Sequence, residues 1–148
     1  MAKKENGSPN VILGDQQPKQ SMKSYLAHKF RSDNRNKELV EALAESLKNS
    51  GVETVIMARD FEKWGEVKFT PQELMKLSFG QIDLCDCLIL EFSEKGTGLG
   101  IEAGYAYATK KPIYVIAKSG LEISTTLQGI ADKIVFYNNP SEIGNKLF

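Results

Sequence analysis

Four runs in this chain are apolar almost from end to end: VETVIMA, CDCLILEF, PIYVIA and KIVFY. A strand with one wet face alternates apolar and polar residues, whereas a strand with hardly any polar positions must be covered on both faces. The runs are separated by segments long enough for helices, and a strand that returns through a helix lies parallel to the one before it. KSYLAHKF, ahead of them, reads as one more strand. The pattern predicts a single α/β domain, a parallel sheet of about five strands wound with helices on both faces. Ligands of such sheets bind beyond the carboxyl ends of the strands, which singles out the loops 27–34, 59–70 and 92–101.

The intervening segments carry helix signals. NRNKELVEALAESLKNSG spaces Leu39, Leu43 and Leu47 four apart, with Val40 and Ala44 alongside. Ser32, Asp33 or Asn34 suits its cap, and Gly51 its end. TPQELMKLSFGQID opens with Thr70 as cap and Pro71 at the first helical position. LGIEAGYAYATKK reads as a helix stopped by Pro112, and PSEIGNKL as a closing one. DFEKWGEVKFT reads as a polar loop, and residues 1–21 as a flexible tail ahead of a domain at 22–148.

Lys plus Arg and Asp plus Glu balance at 19 each, so charge gives no reason to expect nucleic acid or a membrane surface as partner. No apolar run approaches the roughly 20 residues of a bilayer span, and the N-terminus lacks the apolar stretch of a secretory signal. Cys85 and Cys87, two apart in LCDCLIL, would point the same way on one strand and make a poor disulfide. With His28 the only histidine, a zinc site is not expected. Two buried thiols in a reducing, cytoplasmic setting is the expectation.

The most informative stretch is GTGLGIEAGY, residues 96–105. Its glycines let a backbone approach a ligand closely. GLGIEA formally matches a dinucleotide fingerprint, but it follows the third strand rather than the first, and Glu102 would repel a pyrophosphate. Glu102 can be read as a first-turn acid favoured by the helix dipole. Its neighbours Leu99, Ile101, Ala103 and Gly104 are apolar or small, however, and an acid among them at a ligand-binding strand end is a candidate catalytic carboxylate. On that reading the helix N-terminus keeps it ionised, as a nucleophile requires.

With EFSEKGTGLGIEAGYAYATKKPIYVIAK, the chain resembles the nucleoside 2-deoxyribosyltransferases and their relatives, the 2'-deoxynucleoside 5'-phosphate N-hydrolases. The resemblance covers roughly residues 23–147, strongest at 86–117. It implies a flavodoxin- or Rossmann-like fold and a cytoplasmic homodimer or larger homo-oligomer acting on a small nucleoside or nucleotide without a cofactor. It also implies that Glu102 attacks C1' of the sugar and that a covalent glycosyl-enzyme forms. Tyr25 falls where the family has a strand tyrosine near the active site. Arg31 matches a phosphate-binding arginine of the hydrolase branch, and Ser124 a serine that reaches the partner's phosphate site. Lys29 could add a point charge there, His28 could line the pocket, and Gly96, Thr97, Gly98 and Gly100 would cradle the substrate with backbone N–H groups.

The sequence also departs from the family. Ser78 stands where an aspartate is usual, Gly96 where a serine is usual, and His28-Lys29 replaces a Gly-Ser pair. Three accounts of the serine are open. Asp83 takes over the aspartate's role, the base leaves without help, or the protein binds nucleotides without cleaving them. Cleavage of another N-glycoside such as NAD is a further alternative. Trp64 and Phe69 could stack a nucleobase, plug the core or contact a second subunit, and Tyr105 and Tyr107 are expected to pack.

Overall fold

The computed structural model describes residues 22–148; the tail expected at 1–21 lies outside them. Five strands, β1 (Met22–Ala27), β2 (Val52–Val55), β3 (Cys87–Glu91), β4 (Ile113–Lys118) and β5 (Lys133–Tyr137), form one all-parallel sheet in the order β2-β1-β3-β4-β5. The helices are α1 (Lys37–Asn49), α2 (Met57–Asp60), α3 (Pro71–Leu84), α4 (Thr97–Ala108), α5 (Thr125–Gln128) and α6 (Ile143–Leu147). Among the described residues no helix is long and apolar enough to cross a membrane.

The near-continuous apolar runs are explained by two cores, one on each face. Tyr25, Ala27, Leu88, Leu90, Val115 and Ala117 face α3, α4 and α5. Leu26, Cys87, Ile89, Ile116 and Tyr137 face α1 and α6. Val40, Leu43, Ala44 and Leu47 of α1 are buried as the spacing predicts, while Leu39 lies at the margin of that core. Gly51 ends the helix with φ +82°, a conformation that favours glycine. Thr70 and Glu73 form a reciprocal capping box at the start of α3, with Pro71 behind the cap.

Several boundaries differ from the sequence expectation. The run VETVIMA leaves the sheet after Val55, and α2 starts at Met57. The Asp60 carboxylate accepts the Ile56 N–H at 2.9 Å and the Arg59 guanidinium at 2.8 Å, so a local polar cluster turns the chain. Helix α1 starts at Lys37 behind Asn36, with no side-chain cap. Asn34 instead takes φ +55° and donates from Nδ2 to the Trp64 carbonyl at 2.9 Å. Cys85 caps the end of α3 outside the strand, so Cys85 and Cys87 enter opposite cores and do not point the same way. Both are buried and unbridged, and burial pushes their thiols up to about 11 and about 12.

Candidate active site

The chain leaves β1 toward β2 on one side and later returns to β3 on the other, so the carboxyl ends of β1 and β3 diverge into a crevice. A cavity of about 250 Å3 occupies it. Each of the three loops singled out by the sequence contributes to its wall, the first with Ala27 to Phe30, the second with Glu62 alone, and the third with Gly96 to Leu99; Tyr25, Leu26, Met57, Ala58 and Glu102 adjoin them. Leu74, Met75 and Ser78 of α3 complete it.

Glu102 lines this cavity, but not as a first-turn acid. Gly96 is the N-cap of α4, and the glycines at 98 and 100 lie inside the helix, so Glu102 falls in its second turn. The helix-dipole stabilisation expected from the sequence fades within one turn. Burial dominates instead and pushes the Glu102 carboxyl up to about 7. Its Oε2 is sealed from solvent and has no hydrogen-bond partner. The fully buried Tyr25 phenol faces the carboxyl and partly offsets the desolvation, although it stops short of a well-formed hydrogen bond. Ser78, buried on α3, is the other hydroxyl near that phenol. Burial first, and the Glu102 charge second, hold the Tyr25 hydroxyl protonated well above the usual phenol range.

A second, open depression of about 490 Å3 adjoins the cavity and shares Lys29, Gly96 and Thr97 with it. Lys95, Ser124 and Thr126 also line it. No side chain caps α4, so the first-turn amides of Thr97 and Gly98 are left to a ligand or water. A Cβ on Gly96 would come within 3.1 Å of Lys29 Cδ, so glycine here lets the lysine stem cross the helix start. Gly98 and Gly100 would meet nothing, which leaves that surface open to a ligand. Ser124 accepts the Leu127 N–H as the cap of α5 and sits in the depression of its own subunit.

The remaining candidates divide. His28 lines the cavity; its Nδ1–H donates to the Lys29 carbonyl at 3.0 Å, and burial lowers its pKa, so the ring is a neutral wall. Arg31 lies outside the cavity wall, and its guanidinium pairs with Glu94. Asp83 accepts a hydrogen bond from Tyr105 at 2.8 Å and is not part of the cavity wall that Ser78 lines. Tyr105 stacks on Phe79 with ring centroids 4.2 Å apart, whereas Tyr107 is exposed. Trp64 packs at the edge of the α1 core beneath Lys37, and Phe69 lies on the outer side of α3.

Lys95 and the wall formed by Met57, Ala58, Glu62 and Met75 are absent from the sequence reading. Lys95 had a signal: a cation before a helix N-terminus opposes the dipole and is tolerated where an anion can visit. Glu62 lies in the loop 59–70 that the strand-end rule singles out, whereas Met57 and Ala58 reach the cavity only through the turn made by α2, and Met75 only through the packing of α3.

The family model for nucleoside 2-deoxyribosyltransferases matches residues 24–132. The chain belongs to that family. Membership carries the coarse activity with it: this is an enzyme of cleavage or transfer at N-glycosidic bonds of nucleoside-type substrates. The fold agrees with solved structures. A CMP N-glycosidase from Clostridium botulinum is 22% identical over 84% of this chain and 96% of its own, with a TM-score of 0.62. A 2-deoxyribosyltransferase from Bacillus psychrosaccharolyticus is 19% identical over 83% and 90%, with a TM-score of 0.66. The solution structure of BlsM is 22% identical over 85% and 86%, with a TM-score of 0.64. No curated protein matches the sequence.

Proposed function

We propose that the protein cleaves the N-glycosidic bond of a nucleoside 5'-monophosphate, with Glu102 as nucleophile. The observation that carries the reading is the buried, unpartnered Oε2 of Glu102, a residue that lines the cavity between β1 and β3. A buried oxygen without a partner costs stability unless a ligand uses it. In the first step Glu102 bonds to C1' as the C1'–N bond breaks, and the bonding pair leaves with the base. Water then opens the glycosyl ester and releases the sugar phosphate, or a second base accepts the sugar. Tyr25 positions the carboxylate.

The phosphate end is Lys29, Lys95, Ser124 and the first turn of α4, where two cations and free amides meet. The description of one structural neighbour as a CMP N-glycosidase supports a monophosphate. Arg31, expected at the phosphate, would have to exchange Glu94 for it. Assembly into a homodimer belongs to the same proposal, supported by the exposed apolar side chains Leu84, Ile101 and Tyr107 on α3 and α4.

Base release followed by chromatography tests the reading. Ribo- and deoxyribonucleoside monophosphates, nucleosides and NAD are offered with and without a free base as acceptor. Release from monophosphates that vanishes in Glu102→Ala is expected. Full activity in that variant sinks the nucleophile, and binding without release in the wild type makes the protein a nucleotide-binding module. That second reading draws on Ser78, which cannot supply a proton as an aspartic acid could.

A further inference from the structure

The cavity has two ends, and only one is spoken for. The depression that gathers Lys29, Lys95 and Ser124 adjoins the end at α4, and Glu102 fixes where C1' must lie. A nucleotide attacked at C1' by Glu102 with its phosphate on that side turns its base toward the opposite wall. That wall is Met57, Ala58, Leu74 and Met75, an apolar slot, with one charged side chain among them, Glu62.

Glu62 is held in an unusual way. Its carbonyl accepts two N–H groups, from Gly65 at 3.0 Å and Val67 at 2.9 Å, and its own N–H donates to the Met57 carbonyl at 3.0 Å. The next residues, Lys63 and Trp64, both take left-handed conformations with φ +48° and +54°. Such geometry is unfavourable for non-glycine residues and persists only where the surroundings hold it. Here the Asn34 amide donates to the Trp64 carbonyl at 2.9 Å and helps to hold the turn. While the backbone is pinned, the Glu62 carboxyl makes no ion pair and no side-chain hydrogen bond with any described residue. A strained turn thus presents a free, half-buried carboxylate to an apolar slot.

We infer that Glu62 reads the base, and that it selects bases carrying an exocyclic amino group over uracil and thymine. The inference rests on the proposed function for the direction of the substrate. An ionised carboxylate accepts hydrogen bonds and donates none. Guanine offers it two adjacent donors, the ring N–H and the amino group, and cytosine and adenine offer an amino group. Uracil and thymine offer a single ring N–H flanked by two carbonyl oxygens, which the carboxylate repels. In an apolar slot that mismatch leaves buried polar groups unpaired, the situation in which discrimination is largest.

The test compares GMP, CMP and AMP with UMP and TMP, in the wild type, Glu62→Ala and Glu62→Gln. Base release gives kcat/KM, and calorimetry on the Glu102→Ala background gives affinity without turnover. The amino bases should lead the oxo pyrimidines by about tenfold or more in the wild type. Glu62→Ala should bring the ratio near unity, through a loss on the amino bases together with relief of the repulsion felt by UMP and TMP. Glu62→Gln, whose amide can also donate to a carbonyl, should gain UMP. A wild-type ratio near unity, or a ratio that survives Glu62→Ala, overturns the inference and leaves the proposed function standing. Binding that discriminates through Glu62 without any base release does the reverse. Neither binding nor release overturns both. Because the Glu62 carboxyl holds no partner, the variants should melt with the wild type, and that measurement separates a specificity change from misfolding.

Discussion

Glu102 is asked to be charged in a place that favours its neutral form. A nucleophilic carboxylate attacks only when ionised, and burial has moved its titration to about 7. kcat/KM should therefore rise through about pH 7 and flatten above it, with substrate ionisation measured separately. The Tyr25 phenol favours the charged form, so Tyr25→Phe should displace that rise to higher pH. A rise at the ordinary glutamate range in both proteins would show that the attacking group is not this carboxyl. The same shift has a thermodynamic face. Between about 4.5 and about 7 the folded protein holds a proton that the unfolded chain has released, so stability falls as pH increases across that window. Glu102→Gln removes this loss. Its unfolding free energy should match the wild type below the window and exceed it above, by an amount on the order of 3 kcal/mol. The sequence could mark Glu102 as an acid among apolar neighbours; it could not give the sign of its shift, which burial decides once α4 begins at Thr97, two residues before Leu99, and moves Glu102 beyond the first turn.

Among the elements, those with chemical punctuation were legible. Thr70, Pro71 and Glu73 announce α3, and Gly51 ends α1, because each supplies a bond or a dihedral that the helix terminus needs. Helix α4 has an N-cap without a side chain, and glycine is as compatible with a loop as with a first turn, so its start could not be placed. Helix α2 depends on Asp60 and Arg59 closing on the strand before them, a tertiary arrangement without a periodic trace. The contact of α1 with α6 gives a prediction at this scale. Ser46 donates to the Ser141 carbonyl and accepts from the Gly144 N–H, each at 2.9 Å. A Cβ on Gly144 would stand 2.3 Å from the Ser46 carbonyl oxygen. Gly144→Ala must force the helices apart, and Ser46→Ala leaves two buried groups unpaired. Each should cost about 1–3 kcal/mol in urea unfolding. Because the pair shares one contact, the double variant should cost less than the sum. Additive losses would mean that the two helices do not rely on this junction.

For the molecule as a whole, the parallel sheet and the end of it that binds ligands follow from sequence alone, whereas the strand order does not, because apolar runs carry no record of which neighbour each strand takes. The membership of the site is harder, because Glu62, Ser78 and the run from Lys95 to Glu102 come from three separate segments and meet only in the fold. One long-range pair ties the site to the far edge of the sheet. Tyr137 of β5 donates to Glu91 Oε2 at 2.5 Å, and Glu91 Oε1 accepts the Ser93 N–H at 2.6 Å, at the root of the loop that leads into α4. Tyr137→Phe should lower stability by about 1–3 kcal/mol and reduce kcat more than it raises KM. Unchanged kinetics would detach the edge strand from the site. The pair also sets an order of events in folding. Glu91 meets its phenol across 46 residues, and before β5 docks it is an acid in the sheet's interior without that donor. The glycine loop should therefore acquire its native shape late, in the same kinetic phase as the edge strand. A fluorophore on that loop would report the last step of assembly rather than the collapse of the sheet's centre.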